Sequence, residues 1–164
     1  MAELRIGDQL ACYDRDATVA AYAQLQQGWA ERCGCSGCRN FIAAREQVFP
    51  DAFRTFLADL GIDANKEGEA IYDGPVEGSL HFYGGWFYFV GKLIEAGERL
   101  TTIPLPGSPS RIQLLPGPGD GFQYWFSTSF ARPPAIFGKA VAAVEFSTLI
   151  PWVLDDPDAF GEKK

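Results

Sequence analysis

The residues best suited to chemistry lie in one short stretch, Cys33-Gly-Cys-Ser-Gly-Cys-Arg-Asn-Phe41. Three of the four cysteines fall inside it. A Cys-x-Cys-x-x-Cys spacing puts three thiolates on a tight glycine-containing loop, and soft ligands in that arrangement suit tetrahedral zinc. Zinc needs a fourth donor, for which the chain offers Cys12 or His81. A second chemistry fits the same stretch. Cys35 stands just ahead of a helical pattern, where the helix dipole favours the thiolate. Cys38 would then be the resolving thiol, and Arg39 adds positive charge. The third reading is architectural. Free cysteines are often simply buried, and Arg39 and Asn40 can fix the helix entry by bonding loop carbonyls or a carboxylate.

A second candidate site is aromatic. Across a hairpin turning at Gly84-Gly85, Tyr83 would face Trp86 and His81 would face Tyr88 on one side, and Trp125 lies on a neighbouring strand pattern. On one exposed sheet face they would make a stacking platform for a protein or a small-molecule ligand, because Tyr and Trp join apolar area to a polar tip. The plainer reading is a second core layer covered by helices, as most aromatic stripes are. No Ser-His-Asp arrangement can be argued for the lone histidine. No glycine-rich phosphate loop precedes a helix. The pattern therefore leans away from an enzyme.

These residues need elements to position them. Asp14 or Asp16 can cap a first helix over about 17–30, with Val19, Tyr22, Ala23, Leu25 and Trp29 near helical spacing. Ser36 can cap a second helix, whose stripe of Cys38, Phe41, Ile42 and Phe49 is interrupted by Arg45. Pro50 ends it and opens a third. There Phe53, Phe56, Leu57 and Leu60 form the clearest apolar stripe in the chain. Gly61 suits a left-handed helix end, with Ile62 packing back on Leu57. Residues 65–69 read as a polar turn. Val76 to Leu93 reads as a hairpin about Gly84-Gly85, in which Phe82 faces Phe87 and Leu80 faces Phe89. Short strands follow at 111–115, 122–130 and 141–150. Residues 3–13 suggest an edge strand or a docked arm. Helices first and strands after imply an α+β fold, with N-terminal helices on a curved antiparallel sheet of about five strands.

Composition bounds the rest. A chain of 164 residues suits a single domain, 1–164, with 155–164 as a polar tail. The net charge of −7 argues against nucleic acid, which is held by clustered cations, and against an anionic membrane surface. No apolar run approaches the roughly 18 residues of a bilayer span. The N-terminus lacks the layout of a signal peptide. A cytoplasmic, reducing setting follows as an expectation, with the cysteines as thiols or metal ligands.

Several motifs occur in order: Cys35-x-x-Cys38-Arg39-Asn40-Phe41, Leu60-Gly61-Ile62-Asp63, Lys66-Glu67-Gly68-Glu69, Tyr83-Gly84-Gly85-Trp86-Phe87 and Ile150-Pro151-Trp152. Together they resemble a family of small uncharacterised bacterial proteins, over about Cys33 to Trp152. The resemblance implies kinship and brings no activity, cofactor or catalytic residue. The expectation from sequence is a binding module that presents the aromatic face to a protein or small ligand. An immunity or antitoxin role against a basic toxin is one form of it, and a homodimer through the same patch is another. The alternative is a zinc-binding or thiol-active protein centred on Cys33, Cys35 and Cys38.

Overall fold

The expected α+β architecture is present. The computed structural model describes residues 1–76, 79–97, 121–157 and the backbone path of the strands at 101–104 and 111–114. The chain opens with a hairpin, β1 (Ala2–Ile6) and β2 (Gln9–Tyr13). Its two-residue turn has Gly7 at a φ of 55°, the first position of a tight hairpin loop that favours glycine. Four helices follow: α1 (Arg15–Gln24), α2 (Trp29–Cys33), α3 (Ser36–Val48) and α4 (Asp51–Leu60). The strands are β3 (Glu69–Pro75), β4 (Leu80–Glu95), β5 (Thr101–Pro104), β6 (Arg111–Leu114), β7 (Phe122–Ser127) and β8 (Val141–Pro151). Among the described residues β5 and β6 form a two-stranded sheet, and the other six strands make one antiparallel sheet in the order β1-β2-β4-β8-β7, with β3 also on β4.

The Gly84-Gly85 hairpin does not form. β4 runs unbroken through both glycines, and Leu80 to Val90 pair with Pro151 to Val141 of β8. The other edge of β4 is shared by β3 at residues 81–86 and β2 at residues 91–95. The glycines serve close approach. A Cβ on Gly85 would run into the Glu69 carbonyl of β3 and the Phe146 ring.

The sheet curls far enough for β2, next to one end of the main strand order, to reach β7 at the other end. The buried Gln9 amide joins them, donating to the Phe126 carbonyl at 2.9 Å and accepting from the Phe126 N–H at 2.8 Å. Helices α3 and α4 lie against the inner face. Phe41 stacks on Tyr83 and Phe146, and Phe49 and Phe53 pack edge-on or tilted against Phe87, Phe122 and Phe146. The α4 stripe is buried as the spacing predicts. Its end is the expected one: Gly61 has a φ of 82°, and the Ile62 N–H bonds to the Leu57 carbonyl.

The first helix is shorter than the 17–30 expected. Asp14 caps it through the Ala17 N–H, but α1 stops at Gln24 and Trp29 belongs to α2. The break lets Gly28 pack against the Glu67 carboxylate, where any Cβ would sit 2.7 Å from Oε1. Among the described residues no helix is long and apolar enough to cross a membrane.

Candidate metal centre

Two helices meet at one glycine to build the cysteine cluster. α2 ends at Cys33, and Gly34 takes a φ of 66°, a left-handed turn that glycine makes without steric cost. The turn brings Cys35 to the N-cap of α3, where its Sγ accepts from the Cys38 N–H at 3.4 Å. The cap is thus a sulfur and not the expected Ser36 hydroxyl. Gly37, between the two cysteines, lies so close to the Tyr72 ring that a Cβ would overlap it.

The three Sγ atoms of Cys33, Cys35 and Cys38 lie within 4.8 Å of one another. Thiolates placed tetrahedrally at about 2.3 Å from zinc are roughly 3.8 Å apart, so small side-chain rotations would close the set on an ion. Cys33 and Cys35 are exposed and Cys38 is buried. Hydrogen bonding from the Cys35 backbone, then from the Cys35 and Cys38 side chains, holds the Cys33 thiol below its ordinary range. Burial pushes Cys38 well up, and its sulfur neighbours add to the shift.

Neither expected fourth ligand joins the group. Cys12 lies on β2 opposite Lys92 of β4, whereas the cluster borders Tyr83 of β4 through Gly37. Nine residues of extended strand separate those two positions, roughly 30 Å. His81 is buried beside Trp152, with its Nδ1 2.7 Å from the Tyr72 hydroxyl. Among the described residues, no other Cys, His, Asp or Glu completes the set.

Arg39 and Asn40 take the architectural role. The Arg39 guanidinium meets the Asp156 carboxylate at 2.6 Å. The fully buried Asn40 donates to the Pro151 carbonyl and the Tyr83 hydroxyl, and accepts from the Val153 N–H. These bonds fasten the chain after β8 to the first turn of α3. Asp156 is thereby held, although sequence places it in the polar tail; residues 158–164 of that tail lie outside the described set.

Sequence reading missed the residue that sets α2. Glu67 accepts from the Ala30 N–H at 2.7 Å and from Arg45 Nη1 at 3.0 Å, and its side chain is fully buried. It caps α2 in place of Gly28, which has no side chain to do so. The signal was the arginine that interrupts the α3 stripe, since a cation on an apolar face needs a buried partner.

The aromatic face is not one exposed surface. In an unbroken β4, His81 and Tyr83 point to the helix side, while Trp86 and Tyr88 point to the opposite side. His81, Tyr83, Tyr88 and Trp125 are only 6%, 1%, 5% and 6% exposed. Tyr83 is wedged between Phe41 and Tyr72, and Tyr88 packs on Phe130 and Phe137. On the far face, Trp86 and Trp125 flank Glu145 in one cross-strand row.

No family model, curated protein or solved structure matches the chain.

Glu145 gives a measurable signature of that row. Burial pushes its carboxyl above the ordinary range, against smaller opposing effects of hydrogen bonding to Ser127 and Trp125. Between the unfolded pKa and the raised one, the folded state binds more protons than the unfolded state, so this group's contribution to stability falls as pH rises. Above the raised pKa the loss is complete. Glu145→Gln removes the effect. Urea midpoints from pH 4 to 7 are therefore expected to show the variant gaining on the wild type as pH rises; a constant difference would contradict the assignment.

Proposed function

We propose that the protein binds a soft metal ion, zinc being the representative case, through the thiolates of Cys33, Cys35 and Cys38. The observation that carries this reading is the approach of three sulfurs to within 4.8 Å, two of them at the surface. Random placement of three cysteines seldom gives such a group, whereas a helix end, a left-handed glycine and a helix start deliver it from six residues. The described residues supply three donors, so the fourth comes from water or a small exogenous ligand, the coordination pattern of an open zinc site. Cysteines kept as reduced thiols need a reducing setting, which is why the cytoplasm suits this role.

The test is elemental analysis and thiol titration of tag-free protein. About one zinc per chain is expected, with the cluster thiols protected until a chelator is added. Cys33→Ser should abolish retention, and Cys12→Ser should leave it intact. Metal-free protein whose thiols all titrate at once, even after incubation with zinc, would overturn the proposal. If mild oxidation of that metal-free protein linked Cys33 or Cys35 to Cys38, the thiol-redox reading would replace it.

A further inference from the structure

We propose that a cleft beside α2 binds a small aryl carboxylate, one aromatic ring bearing an anionic group. The cleft is a cavity of about 170 Å³ between α2, the start of β3 and residues 131–134. A closed apolar cavity of about 150 Å³ is enough to take up benzene, so the space matches a single ring.

The walls suit the ring. Trp29, 37% exposed, forms one side. Tyr88 forms the floor, fixed by its hydroxyl donating to the Ala131 carbonyl at 3.2 Å. Gly68 lines the cleft between them. A Cβ there would sit 2.5 Å from Tyr88 Cε2 and 3.0 Å from Trp86 Cδ1, so glycine keeps the aromatic floor open.

The polar groups suit the carboxylate. Arg32, Lys66 and Arg132 all line the space, against the −7 charge of the whole chain. Lys66 is anchored on the Tyr22 carbonyl and near Asp63. Arg32 lies over the Trp29 ring, 5.5 Å from its centroid, and neither it nor Arg132 is in an ion pair among the described residues. Two acids also line the cleft. Glu67 is committed to Ala30 and Arg45, which leaves Glu69 as the one opposing carboxylate. Trp86 lies behind Gly68 and backs the floor without lining the cleft itself. The guanidinium forks of Arg32 and Arg132 match a planar carboxylate.

The experiment is a titration of the full chain followed through the indole N–H signals of Trp29 and Trp86, with three probes: benzoate, inorganic phosphate and benzyl alcohol. Benzoate should shift both signals saturably, with a Kd near 1 mM or tighter, corresponding to about −4 kcal/mol. Arg132→Gln, an exposed position, should weaken binding about tenfold, and added salt should weaken it too. No saturable shift up to about 10 mM benzoate, tenfold weaker than a millimolar site, would overturn the proposal. So would unchanged affinity in Arg132→Gln. Equal binding of phosphate would refute the ring, and equal binding of benzyl alcohol would refute the anion.

Discussion

Glu67→Leu is expected to destabilise the protein by about 3–5 kcal/mol, the cost of stranding one partner of a buried ion pair. The loss has two sources. Arg45, itself buried, keeps its charge and is left with the half-exposed Glu31 at 3.7 Å. The Ala30 N–H at the start of α2 loses its acceptor in a buried site. Burial pushes the Glu67 carboxyl above its ordinary range despite the Ala30 N–H and the Arg45 guanidinium, so its pairing does not fully offset its desolvation. A double replacement, Arg45→Met with Glu67→Leu, should therefore recover the part of the loss that comes from the stranded Arg45 charge, while the Ala30 N–H stays unpaired. Urea unfolding of the two single variants and the double variant forms the cycle that measures this. A single-variant cost below about 1 kcal/mol would mean that the pair does not hold α2.

The parts of the fold legible in the sequence are those set by local chemistry. α4 is the clearest case, because its stripe, its proline entry and its glycine exit all lie within a dozen residues. β4 was misread because its decisive neighbours are distant. Gly84-Gly85 has the composition of a hairpin turn, and only β8, some sixty residues later, shows that the strand continues. Alternation could not arbitrate either. From His81 to Phe89 most side chains are buried on both faces, and a strand covered on both sides loses its two-residue period. The split of His81 and Tyr83 from Trp86 and Tyr88 follows from that one error.

The candidate site was half legible for the same reason. Cys33, Cys35 and Cys38 are neighbours in sequence, and a tight loop is enough to bring them together. What surrounds them is not local. Asn40 finds its partners at Pro151 and Val153, Arg39 finds Asp156, and Glu67 reaches back to Ala30. The cleft beside α2 draws its cations from three separate segments, so no spacing in the sequence announces it.

Phe53→Ala should cost about 3–5 kcal/mol as well, but with a different consequence. Phe53 is fully buried, and its ring touches those of Phe49, Phe87, Phe122, Tyr124 and Phe146. Those neighbours come from a helix end and three strands, and rigid rings on a hydrogen-bonded sheet have little freedom to collapse into the space left behind. That places the cost towards the upper end of the range, against a total stability of about 5–15 kcal/mol for a domain. Phe53→Leu keeps part of the volume and should cost less. A loss under about 1.5 kcal/mol in Phe53→Ala would show that α4 is not the centre of the core. The comparison with Glu67→Leu then separates stability from site geometry. Phe53 belongs to α4, and none of its ring partners lies in α2 or in the first turn of α3, so the Phe53→Ala protein that remains folded should retain metal like the wild type. Glu67 holds the helix that carries Cys33, so Glu67→Leu should lose metal more readily under conditions where both variants are still folded. Equal metal retention in the two variants would mean that Cys33 keeps its place without the Glu67 cap.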